Sequence, residues 1–393
     1  MARLGDVCSF FSGTGFPNAY QGQKTGKYPF YKVGDISKNV LLGNRELISS
    51  DNYIDDDTVQ AIKGTVLPPK TVVFAKIGEA LRLNRRAITN CYCLVDNNAM
   101  GILADNTVLD ELYFYYFMCS VDLQHYCEST TVPSVRKTRI AEIEIPLPSL
   151  EEQRRIATVL DKVSDLITKR RAQLDKLDLL VKSRFVEMFG DPETNPMNWP
   201  IVEIGAITKT IDSGWSGNGT QREKKVGEIA VLKVSAVTKG YFIPEESKVL
   251  DDQQNIKKYV FPQKGDLLFS RANTKEMVGA TAIIREDYPE LILPDKLWKI
   301  RFSDTTNVVY MKYILSSKAI RNKFSDASTG TSGSMYNVSM EKFKAIQIPM
   351  PGTSIQHQFA SFVESVEQSK LTIQQSLDKL EMLKKALMQQ YFG

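Results

Sequence analysis

Histidine is nearly absent from this chain, with two in 393 residues, and cysteine is sparse at five. That scarcity argues against a metal centre. Cys119, His125 and Cys127 lie close together, yet the paired Cys/His spacings of structural zinc sites are missing. Cys91 and Cys93, in the apolar "CYCLV", read as a strand with both thiols on one face. An odd number of cysteines fits a reducing compartment, so a cytoplasmic protein is expected. No apolar run approaches the roughly 20 residues of a membrane helix, and "MARLGDVCSFF" lacks the pattern of a secretory signal. Neither sign of charge dominates: 50 basic residues against 46 acidic ones give a net +4. Such a balance permits a nucleic-acid partner without requiring one.

Catalytic signatures are missing as well. No G-x-x-x-x-G-K-[ST] triphosphate loop is present, and no Asn-Pro-Pro-Tyr for amino-group methylation. "LPDK" at Leu293–Lys296 starts like a metal-dependent nuclease motif but lacks the downstream acidic-x-Lys. "FSGTG" at Phe11–Gly15 fits the F-x-G-x-G pattern of an S-adenosylmethionine loop, although a turn explains it better. His125 and His357 have no nucleophile near them in sequence. No catalytic residue, metal ligand or cofactor site is expected.

What the chain does have is a repeat. "EIEIPLPSLEEQRRIATVLDKV" from Glu142 returns 203 positions later as "AIQIPMPGTSIQHQFASFVESV" from Ala345. Ile143, Ile145, Pro146, Pro148, Gln153 and Ala157 fall on Ile346, Ile348, Pro349, Pro351, Gln356 and Ala360. "LDKL" and Phe-Gly recur in the same register, so the match runs without a gap to Gly190 and Gly393.

Each copy reads as a long helix with a 3.5-residue apolar period, the mark of a coiled-coil seam. The first seam holds Ile156, Leu160, Val163, Ile167, Leu174, Leu177, Val181 and Met188, with Arg170 and Arg184 in phase. The second holds Phe359, Val363, Val366, Ile373, Leu377, Leu380, Leu387 and Tyr391, with Lys370 and Lys384. Pro148 and Pro351 forbid helix just upstream. Ser149 with Glu152, and Thr353 with Gln356, have capping-box spacing. The two seams are expected to bury each other antiparallel, as a rod of roughly 60 Å.

Two globular stretches precede the helices and echo one another loosely. "YPFYKVGDIS" against "IAVLKVSAVT" reads as a β-rich stretch sharing Lys-Val. "TVVFAKI" against "GDLLFSRA" reads as a strand, and a helix with Tyr-x-x-Tyr follows in both. Basic residues cluster after the first of those strands, at Lys76, Arg82, Arg85 and Arg86. Arg271, Asn273 and Lys275 hold the comparable loop of the second stretch, where asparagine suits adenine. "TTVPSVRKT" and "TSGSMYNVS" add Arg136, Lys137, Tyr336 and Asn337. Such residues can neutralise phosphates and reach base edges, so these eleven are the candidate DNA contacts.

These motifs resemble the specificity subunit of type I restriction-modification systems, along essentially the whole chain. The resemblance implies an α+β fold with an internal pseudo-twofold repeat. It places mixed α/β target recognition domains at 1–148 and, after a linker, within 191–351. Conserved helices at 149–190 and 352–393 would form a two-helix antiparallel coiled coil. It implies a noncatalytic subunit that reads a bipartite asymmetric site on double-stranded DNA. Two methyltransferase subunits and restriction/translocase subunits would dock on it, with no membrane involved. S-adenosylmethionine, ATP and Mg would sit on those partners. "TSIQHQF" lacks the charges of "EEQRRI", so the two methyltransferase contacts are expected to be unequal. Two other functions compete: a self-sufficient methyltransferase or nuclease, and a coiled-coil scaffold without DNA.

Overall fold

The computed structural model describes residues 1–127, 132–330 and 336–393. Parts of the loops "TTVPSVRKT" and "TSGSMYNVS" therefore lie outside the described residues. The chain forms two compact units, Met1–Gln173 with Ile373–Gly393, and Leu174–Thr372. Four helices organise them: α1 (Glu111–Ser120), α2 (Leu150–Phe189), α3 (Val308–Ser316) and α4 (Thr353–Phe392).

The first unit is built on an antiparallel sheet of β1 (Cys8–Ser12), β2 (Val72–Ala75), β3 (Arg86–Thr89) and β4 (Ala99–Ala104). Their order is β1-β4-β2-β3, and Glu46–Leu47 extends it parallel to β3. All four residues of β2 are buried because both faces are covered. Val72 and Phe74 face the core beneath α1, while Val73 faces a second core with Tyr31 and Ile36.

The second unit repeats this plan. Its sheet of β5 (Thr208–Ser213), β6 (Leu267–Ser270), β7 (Thr281–Ile283) and β8 (Leu297–Phe302) has the order β5-β8-β6-β7. Leu267 and Phe269 face one core and Leu268 the other. The loose sequence echo is thus one topology built twice. The shared Lys-Val marks a strand end in both: Tyr28–Tyr31 yields to a helix at Val33, and Ala230–Leu232 to a 3-10 turn at Val234. The β-rich expectation was too long there. In "CYCLV" only Leu94–Val95 is strand, and Cys91 is exposed while Cys93 is buried, so the thiols do not share a face.

Within each unit the long helices run antiparallel. In the first, Arg155 meets Tyr391, and Arg171 Nη2 donates to Glu381 Oε1 at 2.6 Å. In the second, Lys370 Nζ reaches Asp178 Oδ1 at 2.6 Å, and the Phe359 ring lies 5.5 and 5.3 Å from those of Phe185 and Phe189. Ile156, Leu160, Val163, Ile167, Val181, Phe359, Val363, Val366 and Leu377 are buried, whereas Leu174, Leu177, Ile373, Leu380 and Leu387 are half-buried. One seam assignment fails. Arg184 and Met188 were in phase, yet Phe185 and Phe189 are the buried residues. There the helix packs against α3 as well as α4, with Phe189 4.9 Å from Tyr310. Steps of four residues then replace the 3.5 period.

A buried glutamine fastens each helix start to its domain. Gln153 Nε2 donates to Val108 O and Pro148 O at 3.0 and 2.9 Å, and its Oε1 accepts from Asp110 N at 2.8 Å. Gln356 does the same with Pro351 O at 2.7 Å and Asn307 N at 2.8 Å. Asp110 and Asn307 are the N-caps of α1 and α3. Tyr113 and Tyr310 hydroxyls complete the match by donating to Pro146 O and Pro349 O, at 2.9 and 2.6 Å. The capping boxes do not form. Ser149 Oγ accepts from Glu152 N at 3.3 Å, but the Glu152 carboxylate turns to Arg155; Thr353 donates to Thr305 O instead. Among the described residues no helix is long and apolar enough to cross a membrane.

Replacing Gln356 by Leu would strand a buried carbonyl and a buried N–H. Stability of the second unit should fall by about 2–4 kcal/mol, read as a lower urea midpoint in chemical denaturation. Replacing the exposed neighbour Gln358 by Leu should leave the midpoint nearly unchanged.

Candidate nucleic-acid interface

In each unit the chain leaving the central strand is laced to the chain entering the last short helix. After β2, Lys76 takes its N–H to Asn98 O at 2.8 Å and accepts at its carbonyl from Val135 N at 2.9 Å. Ile77 bridges Ser134, and Gly78, at φ +73°, donates to Pro133 O at 2.8 Å. After β6, Arg271 donates to Lys296 O at 3.1 Å and accepts from Val338 N at 2.9 Å. Ala272 and Asn273 then pair with Asn337 and Tyr336. Val135 and Val338 are 203 positions apart, so both edges are one structural feature with Lys76 and Arg271 in equivalent places.

These ladders gather most of the candidate residues. Arg136 and Lys137 are exposed beside Lys76, with Lys137 Nζ 5.5 Å above the Phe10 ring. Arg82 is exposed on the short helix Glu79–Arg82, 3.4 Å from Glu79. Arg85 is half-buried and its carbonyl accepts from Arg86 Nη1. In the second unit, Arg271 Nη1 donates to Asn337 Oδ1 at 2.9 Å, and Asn273 Oδ1 accepts from Thr274 N at 2.9 Å. Lys275 and Asn337 are exposed and Tyr336 is half-buried.

Arg86 is a correction. Only 2% of it is exposed, so it is no fork for DNA. Its guanidinium lies 4.9 Å over the Phe74 ring and donates to Asn84 Oδ1 at 2.6 Å and to Val121 O at the end of α1. A cation at a helix C-terminus is favourable, and a ring face offsets part of the lost hydration. Burial lowers its pKa to about 10, which still leaves it charged at neutral pH.

Two residues at this edge escaped the sequence reading. Asp295 O accepts from Arg271 Nε at 2.8 Å, its carboxylate lies 3.9 Å from Arg271 Nη2, and Ser216 Oγ bonds to that carboxylate. The signal was "LPDK", set aside above as a nuclease fragment. The glycines that directly follow β1 and β5, Gly13 and Gly214, are also explained. A Cβ on Gly13 would fall 1.8 Å from Asp96 O, and one on Gly214 1.9 Å from Leu293 O. Close crossing of two backbones requires glycine at both.

Comparison with known proteins decides the family. A model described as the type I restriction modification DNA specificity domain matches residues 1–176 and again residues 196–382. The chain belongs to that family. The specificity subunit of type I restriction enzyme MjaVIII from Methanocaldococcus jannaschii is 22% identical over 419 residues, covering 99% of this chain and 90% of that one. The EcoEI subunit from Escherichia coli is 26% identical over 205 residues, which is half of this chain but about a third (34%) of that subunit's length. Among solved structures, a type I S subunit from M. genitalium superposes with a TM-score of 0.57 at 12% identity, covering 100% of this chain and 95% of that one. A chain from a study of type I R-M complex assembly gives 0.56 at 16%, covering 100% and 96%. These likenesses bear on the fold.

Arginines inside and outside the interface should separate cleanly. Arg86→Ala should lower the urea midpoint by the equivalent of about 2–4 kcal/mol, through lost packing and orphaned acceptors. Arg82→Ala should leave it nearly unchanged. If Arg136 and Lys137 bind phosphates, replacing both by Ala should reduce the salt dependence of duplex binding by about one unit of log–log slope each.

Proposed function

We propose that this chain is the noncatalytic specificity subunit of a type I restriction-modification complex, reading a two-part, asymmetric DNA target. One observation carries the reading: the same main-chain edge is built twice with different side chains. Lys76, Arg136 and Lys137 stand on the first, and Arg271, Asn273, Tyr336 and Asn337 on the second. Equal frameworks with unequal donors would read two different half-sites. Lysine and arginine would neutralise phosphates, which sets affinity, while asparagine, tyrosine and arginine forks would contact base edges.

Methylation and cleavage would then fall to partner subunits, which would hold S-adenosylmethionine, ATP and Mg. Apolar side chains on the outer faces of the long helices support protein docking. Leu179 is 63% exposed and Met382 64%, more than a seam or core position allows. In this reading two methyltransferase subunits and further restriction subunits attach to the chain.

Sequencing methylated adenines in cells with and without the gene tests the proposal. A bipartite motif should vanish with the gene and return with a plasmid copy. Alanine at Tyr336 and Asn337 should relax only one half of that motif, whereas alanine at Arg136 and Lys137 should lower methylation evenly without changing the bases selected. Unchanged methylation after deletion would refute the role, and relaxation of both halves by either pair would refute the two-reader assignment.

A further inference from the structure

The second edge has a fixed hydrogen-bond polarity. Arginine has donors only, so the group of Asn337 facing Arg271 Nη1 at 2.9 Å must be the amide oxygen. Turning the amide over would set N–H against N–H. Arg271 is itself held, with Nε on Asp295 O at 2.8 Å, so it presses on Asn337 from a fixed position. Asn273 is constrained the same way, because its Oδ1 accepts the backbone N–H of Thr274 at 2.9 Å. Both asparagines therefore spend their oxygen inside the protein.

Asparagine reads adenine with both ends of its amide, accepting from N6 and donating to N7. With one of the oxygen's two lone pairs held by a fixed, charged donor, its remaining acceptor capacity is weakened and the donor half dominates. Major-groove acceptors without a neighbouring donor are then favoured, and guanine, with N7 and O6, offers two on one edge. We propose that Asn337 reads its base chiefly as a donor and so selects guanine, and that Arg271 is the positioning residue that sets this polarity. The expectation that asparagine here suits adenine is replaced. This inference rests on the edge being a DNA interface, as proposed above.

The test is selection of the full chain and its variants on a randomised duplex pool, scored by the base preferred at each position. Wild type should take guanine at the position that Asn337→Ala relaxes, with discrimination there falling roughly fivefold or more. Asn337→Asp keeps an acceptor for Arg271 and turns the outward group into an acceptor, so the preference should move to cytosine, whose N4 donates. Arg271→Ala frees the oxygen and should admit adenine at that position while other positions keep their bases. Adenine at the Asn337 position in wild type would overturn the polarity argument. So would an unchanged preference in both Asn337 variants, or an Arg271→Ala variant that only loses affinity evenly. If the wild-type chain selects no sequence at all, the DNA-interface reading itself fails.

Discussion

A buried glutamine near the start of each long helix is the contact on which the rest of each unit depends. A proline stands just before each helix, and the carbonyls around it have no helical partner. Gln153 and Gln356 satisfy one of those carbonyls with the amide nitrogen and a distant N-cap N–H with the oxygen. One side chain thus joins the proline before the long helix, the start of that helix and the N-cap of α1 or α3. The tyrosines of those short helices reach back to Pro146 O and Pro349 O and close the same joint. A helix attached by a solvent-exposed turn would swing; one attached through a fully buried amide has its direction set by the globular core. Ion pairs reinforce it further along, between Arg45 and Asp161 in the first unit and between Arg285 and Glu367 in the second.

The two main-chain edges follow from the joint in turn. Each edge ends at a short helix, Lys137–Ala141 or Met340–Ala345, which leads into the short strand Glu144–Ile145 or Gln347–Pro349 before the long helix. The main-chain ladders that fix the edges use backbone groups, so they are indifferent to which side chains they carry. Lys76 and Arg271 show this, since the same three-way arrangement of carbonyl and N–H surrounds two different residues.

The parts of this design that were legible in the sequence are those governed by local period. The repeat, the proline boundaries, the Tyr-x-x-Tyr helices and most of the seam follow from spacing along one helix. Sheet order was hidden, because β1 pairs β4 across some ninety intervening positions and short strands carry little pattern. Arg82, Arg85 and Arg86 look alike in one dimension. Only the fold brings Phe74 and Val121 around the third and removes it from water. Phe185 and Phe189 were missed for a related reason: a heptad extrapolated from one partner fails where a second partner arrives. Gln153 and Gln356 were visible as matched letters, but a glutamine's burial cannot be read from its neighbours in sequence.

The main-chain ladders have one consequence for how such a protein changes over time. Where a surface is held up by its own side chains, every altered contact also loosens the support beneath it. Here the support is peptide hydrogen bonding, from Lys76 O to Val135 N and from Arg271 O to Val338 N. Outward residues can therefore be exchanged with little structural cost. Change in the outward side chains and maintenance of the backbone ladder thus draw largely on separate sets of atoms.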